Sequence, residues 1–270
     1  MKKRNKLHIK FSLTFFLFFF LITSSCDFSS QLHNTILDAQ QLVSTQSYPE
    51  AVLLYEKILD SNPSVDIKLK ISYQLGELYS TYMGNYRQAI IHFSNVKKFS
   101  KDPLWSIRAE EKIGEICFVY LKDYSCATLS YKKLSNITPR LKMVDFYLYR
   151  LGLSYVKNSE ILLAQRILNR ISRDAGHEYN LEAQYELGLL EFHQKRWKSA
   201  IIHWRKYLSR ETKRESVVRV KFMIANAYEM LEELKKAYDI YYSILGEFSN
   251  PKVIKNRLNS IYARKVARKR

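Results

Sequence analysis

Three cysteines and six histidines are the residues of this 270-residue chain best suited to chemistry. The histidines are His8, His33, His92, His177, His193 and His203, and none falls at metal-ligand spacing from a cysteine or another histidine. Glu110-Glu111 and Glu232-Glu233 are adjacent carboxylates, most simply the solvated faces of helices. There is no glycine loop to cradle a phosphate and no Gly-x-Ser-x-Gly elbow. With no nucleophile–base pair and no ligand set, we expect no enzyme, no cofactor and no metal. Cys117 and Cys126 admit two readings: small apolar core residues, or a disulfide stapling their two helices in an oxidising compartment.

Cys26 differs because of what precedes it. Lys2, Lys3, Arg4, Lys6 and Lys10 form a basic segment without an acid, and Phe11 to Ile22 follow as an apolar run. That run is too short for the roughly 20 helical residues a bilayer core needs. It describes a secretory signal ending in small residues, Thr23, Ser24 and Ser25. The segment resembles a bacterial lipoprotein signal, which implies that the Cys26 thiol is diacylated and becomes the first mature residue. Two or more acyl chains hold a protein stably on a membrane. The anchor faces the periplasm, with the outer membrane favoured, and Asp27 keeps the inner membrane open.

The rest of the chain must then position something other than a catalytic centre. Glycine and proline are scarce, 7 and 5, while hydrophobic residues make up 47%, which argues for helices and a sizeable core. Small residues recur as Ala39, Gly76, Gly114, Gly152, Gly188 and Ala225, spaced 37, 38, 38, 36 and 37. Twelve or thirteen residues after each comes an alanine: Ala51, Ala89, Ala127, Ala164, Ala200 and Ala237. Four further on stand Tyr55, Phe93, Tyr131, Leu168, Trp204 and Tyr241. Apolar residues at i, i+3, i+4 and i+7 give each half-unit one buried helical stripe. The small residues mark where two helix backbones approach closely. No such unit buries its face alone, so the units stack.

This pattern resembles the tetratricopeptide repeat, carried by Leu75-Gly76…Tyr79…Ala89…Phe93, Leu151-Gly152…Tyr155…Ala164 and Leu187-Gly188…Ala200…Trp204. The resemblance implies an all-α, right-handed superhelical solenoid of about six helix-turn-helix repeats with a C-terminal capping helix. The expected layout is a signal peptide over 1–25, an anchored linker over 26–31, the array over 32–250, and a cap with basic tail over 251–270. It further implies a groove lined by the first helices, where Tyr73, Phe118, Tyr149, Tyr185, Phe192 and Phe222 are candidates for partner binding. Rigid rings make effective anchors for a peptide or helix. The same rings could instead pack against neighbouring repeats. The basic and asparagine residues with which some members clamp a terminal carboxylate are not matched.

The formal charge of +18 is unevenly placed. Five positive charges lie in the signal, and eight lie in the acid-free stretch from Lys252 to Arg270. Ile254, Leu258, Ile261 and Tyr262 share a helical face there and suit a cap on the last repeat. Arg264, Lys265, Arg268, Lys269 and Arg270 are expected to form an interaction tail, a solvated end or a contact with anionic lipid. An exported protein would not normally meet nucleic acid, so none is expected as a partner.

A lipidated cysteine followed by a repeat array is also similar to the BamD-like outer-membrane assembly lipoproteins. Pro139 and Val144-Asp145-Phe146…Tyr149-Arg150-Leu151-Gly152-Leu153 carry a local likeness to that family. The resemblance implies a protein-interaction scaffold whose partner is an outer-membrane β-barrel insertase. The alternatives are a cell-envelope coordinator of the Tol-Pal and peptidoglycan type and a self-assembling structural lipoprotein. The stretch from Asp27 to Gln31 spans at most roughly 18 Å, which would hold the first repeat near the bilayer.

Overall fold

The computed structural model describes residues 30–268, and all regular structure among them is helical. Cys26, Lys269 and Arg270 lie outside the described residues. The chain divides into two compact units, one reaching Leu121 and the other starting at Lys122.

Unit one holds α1 (30–44), α2 (Tyr48–Asp60), α3 (Val65–Thr81), α4 (Tyr86–Phe99) and α5 (Pro103–Glu115), which runs on into a π-helical stretch, Ile116–Leu121. Unit two holds α6 (Tyr124–Ser135), α7 (Val144–Lys157), α8 (Ile161–Arg173), α9 (Asn180–His193) and α10 (Trp197–Leu208). It ends with α11 (Arg214–Met230), α12 (Leu234–Ser243) and α13 (Pro251–Ala267). Several starts are written locally. Asp102 accepts from the Leu104 amide at 2.9 Å ahead of Pro103, and Asn85 accepts from the Gln88 amide at 3.3 Å.

The repeat pattern appears directly as burial. Ala39, Ala51, Ala89, Ala127, Ala164, Ala200, Ala225 and Ala237 are all fully buried. So are Phe93, Leu168, Trp204 and Tyr241, with Tyr55 and Tyr131 nearly so. The small residues are small for a steric reason. A Cβ on Gly76 would sit 2.7 Å from the Phe93 ring, and one on Gly152 would sit 3.0 Å from Leu168. On Gly188 it would overlap the Trp204 indole. Each large residue of a second helix thus occupies the gap left by the glycine of the first.

The turns inside the repeats share a feature the composition conceals. Gln46, Gly84, Lys122, Ser159, Lys195 and Glu232 all adopt left-handed backbone, with φ from 53° to 62°, one in each repeat. After Gln46, Ser159, Lys195 and Glu232 the next amide reaches back to a carbonyl five residues earlier, as in Glu160 N to Tyr155 O and Arg196 N to Glu191 O, both 2.9 Å. This is the Schellman way of ending a helix, in which glycine is the usual left-handed residue. Here only one of the six is glycine.

Three sequence-based expectations need correcting. Glu110 is not a solvated helix face: it is 6% exposed and ion-paired with Lys97. Glu232 and Glu233 are likewise engaged, Glu232 with Arg264 and Arg268 and Glu233 with Lys236. Tyr262 is 65% exposed, so the buried face of α13 is Ile254, Leu258 and Ile261 alone.

Candidate functional site: an apolar cavity on the inner helices of unit one

Tyr73 stands half-buried on α3, within a cavity of about 330 Å³ that Ile36 of α1 and Trp105 of α5 also line. Tyr55, Ile67 and Ile71 complete its apolar wall. Tyr73 meets Trp105 edge-on, with ring centroids 5.2 Å apart at 77°, and meets Phe93 behind it at 5.5 Å. The ring is therefore braced rather than free to swing. Burial, then the nearby Glu77 carboxylate, pushes the Tyr73 phenol above its ordinary value, so it stays a neutral hydrogen-bonding group. Polar groups stand beside the apolar wall: Gln40, Gln74 and Lys70 line the cavity, and the Arg108 guanidinium lies 5.8 Å over the Trp105 ring. Lys112 is bound to Glu77 at 2.9 Å. A concave apolar volume with a few convergent polar groups is the form a ligand site takes.

The other groove candidates sit elsewhere. Phe118 falls in the π-helical stretch. Tyr149 of α7 is stacked flat on Tyr179, 4.8 Å apart at 10°. Tyr185 of α9 packs beside Tyr207 at 5.6 Å, and the two share a small cavity of about 90 Å³ with Arg219. Phe192 is committed to packing against Trp197 at 4.7 Å and Trp204 at 5.6 Å, because it lies at the turn end of α9. Phe222 is stacked on Phe248 at 4.6 Å. In unit two these rings serve the packing of the repeats.

Trp105 was not among the sequence candidates, although a signal existed. It occupies the same repeat position as Ile67, one period later, and so faces the same groove. Tyr179 occupies that position two periods after Trp105, which is why Tyr149 meets it as Tyr73 meets Trp105.

The basic end of the chain turns back onto its own unit. Arg264 reaches Glu229 at 3.2 Å and also pairs with Glu232, while Arg268 pairs with Glu232. Arg257 approaches Glu229 at 3.6 Å, and Lys265 lies 5.8 Å over the Tyr238 ring. Glu229 is 8% exposed, so these arginines neutralise a carboxylate that burial would otherwise penalise. Arg264 and Arg268, expected in the basic tail, thus pair with carboxylates of their own unit.

Cys117 is fully buried, and both Cys117 and Cys126 are disulfide-bonded. Their bonded state excludes the reading of the two as free core thiols. Among the described residues, no group of three or more His, Cys, Asp or Glu could hold a metal ion. No described helix is long and apolar enough to cross a membrane.

The helix-turn-helix packing, with each glycine of a first helix facing a large residue of the second, defines an all-α helical-repeat fold of the tetratricopeptide kind. Solved structures carry the likeness. PilW, a widely conserved type IV pilus biogenesis factor, superposes with a TM-score of 0.52 at 17% identity over 86% of this chain and 98% of its own. The Naa15/Naa10 complex bound to HypK-THB gives 0.63 at 17% identity over 85% of this chain, which spans 33% of the matched one. The apo form of RapI gives 0.58 at 12% identity over 87% of this chain and 72% of its own. At these identities the likeness is one of fold. No protein-family model matches the sequence, and neither does any curated protein.

Proposed function

We propose that this protein is an exported lipoprotein, anchored through Cys26, that holds a segment of a partner protein in the unit-one cavity during outer-membrane protein assembly. The observation that carries the reading is the braced apolar cavity between α1, α3 and α5, walled by Tyr73 and Trp105. A concave apolar volume with a few convergent polar groups suits a segment of another chain. The disulfide-bonded Cys117 and Cys126 support export, since such bonds persist in oxidising compartments. The partner we assign is a β-barrel insertase, and no catalytic role or cofactor is assigned.

Replacing Tyr73 by a photo-crosslinking residue in intact cells tests this directly. Crosslinks to a β-barrel insertase are the expected result. Crosslinks to peptidoglycan-linked proteins would move the protein to the coordinator role, and crosslinks only to itself to a structural one. Cys26→Ser should shift the protein from the membrane to the soluble fraction. Unchanged fractionation would remove the anchor.

A further inference from the structure

We propose that the unit-one cavity selects a peptide segment in which a large apolar side chain lies close to a carboxylate. This rests on the reading of that cavity as the binding groove, and adds the chemistry of its occupant.

The apolar half follows from the walls. Ile36, Tyr55, Ile71, Tyr73 and Trp105 wall a volume of about 330 Å³ mainly with carbon, their polar groups being two phenol hydroxyls and one indole N–H, so an apolar side chain fits it best. Gln40 and Gln74 can each donate to and accept from a peptide main chain passing over the mouth.

The acidic half follows from a charge imbalance. Lys70 lines the cavity and is exposed, and Arg108 is exposed above Trp105. Among the described residues neither has a carboxylate within ion-pair distance. The two acids nearest Tyr73 are already engaged: Glu77 binds Lys112, and Glu111 also has a partner. Lys70 on the lining and Arg108 over the Trp105 ring are therefore two cations without an ion-paired carboxylate. Arg108 is pre-oriented by the indole beneath it, and a planar guanidinium held in place is well suited to grip a carboxylate through two parallel hydrogen bonds. A basic segment would be repelled, and a purely apolar one would leave both cations unused.

The test is a library of random 12-residue peptides displayed on phage and selected on the full-length chain in mild detergent, with the Trp105→Ala protein as counter-selection. The expected binders carry Asp or Glu within about four residues of Leu, Phe or Trp, the spacing of one helical turn. Lys70→Glu and Arg108→Glu should each weaken a selected peptide by roughly 10-fold or more, the range for hydrogen bonds to charged groups. Both side chains are on the surface, so the variants should keep their melting temperature. Binders without acids, or affinities indifferent to both charge reversals, would overturn this inference while leaving the groove standing. Recovery of no binder sensitive to Trp105→Ala would overturn the groove and the inference together.

Discussion

The two units solve the same packing problem in opposite ways. In each, a tyrosine from one first helix meets an aromatic ring at a fixed position of the following repeat: Tyr73 with Trp105, Tyr149 with Tyr179. In unit two the rings lie flat, at 10°, and burial, then Glu186 and Glu182, holds the Tyr149 phenol far above the ordinary range. In unit one they meet at 77° beside a cavity of about 330 Å³. A cation lies over a ring at each place, Arg108 over Trp105 and Arg150 over Phe146. The charge differs as well: Lys70 and Arg108 flank the open site, while Glu182 and Glu186 lie around the closed one. Burial raises the Glu186 carboxyl, with Lys157 opposing. One repeat position thus yields either a wall or a floor, and ring orientation decides which.

The sharpest test of that contrast compares two tryptophans. Trp204 is fully buried against Gly188 and donates its indole N–H to the Tyr185 carbonyl at 3.3 Å. Trp204→Ala should cost about 3–5 kcal/mol, the range for deleting a large buried ring. Trp105 is half-buried beside open space, so Trp105→Ala should cost about 1 kcal/mol and abolish peptide binding. Urea unfolding of both variants measures the difference. Equal costs would mean that Trp105 is a core residue and the cavity a packing defect.

The next largest effect concerns how unit two ends. Deleting residues 263–270 removes Arg264 and Arg268 and leaves the buried Glu229 with Arg257 at 3.6 Å and the Tyr241 hydroxyl at 3.3 Å. A loss of roughly 1–2 kcal/mol is expected, near that for hydrogen bonds to charged groups with allowance for their partial exposure. Melting temperature checks it, and an unchanged value would restore the tail as a free contact element. The sequence alone suggested such a free tail, because a run of bases without acids names no partner. Glu229 and Glu232 lie more than thirty residues upstream, and only the fold brings them to α13.

That case marks where sequence reading succeeds and where it stops. The repeat was legible because close approach of two backbones forces Gly or Ala at Gly76, Gly152, Gly188 and their partners, and sterics of that kind write directly into residue type. Tyr73 was legible as a groove residue for the same periodic reason. Its counterparts Phe192 and Phe222 were not separable from it, since an aromatic at a given register can fill a core or line a cavity according to its neighbours. Trp105 could have been found by following the register of Ile67 into the next repeat.

Acid should destabilise unit two more than unit one. Burial lowers the pKa of His92 in the first unit, and of His177 and His203 in the second. His177 also faces Asp145 at 3.7 Å, which raises it without overcoming burial. A histidine depressed in the folded state contributes stability above its unfolded value of 6.5, and loses it as pH falls through that value toward the folded one. The unfolded chain then binds protons that the fold refuses. Urea midpoints should therefore drop between about pH 7 and 5. His203→Gln should flatten the drop more than His33→Gln, because His203 is half-buried and bonded to Gln184 at 2.9 Å inside unit two, whereas His33 is exposed on α1. Equal flattening would mean that burial is not the cause.

The smallest effect separates the turns from the packing they join. The left-handed residue that ends each first helix is Gln46 and Gly84 in unit one, and Lys122, Ser159, Lys195 and Glu232 in unit two. A side chain in that region costs roughly 1–2 kcal/mol, part of which glycine gives back as extra freedom in the unfolded chain. Lys195→Gly should therefore raise stability by about 0.5 kcal/mol, and Gly84→Lys should lower it by a similar amount, since open space surrounds Gly84 and strain is the only penalty. Differences of that size are readable as a shift in urea midpoint at constant slope. If Lys195→Gly destabilised instead, the lysine would be doing more than tolerating its backbone. The repeats of unit two would then owe their closure to the turns as well as to the rings.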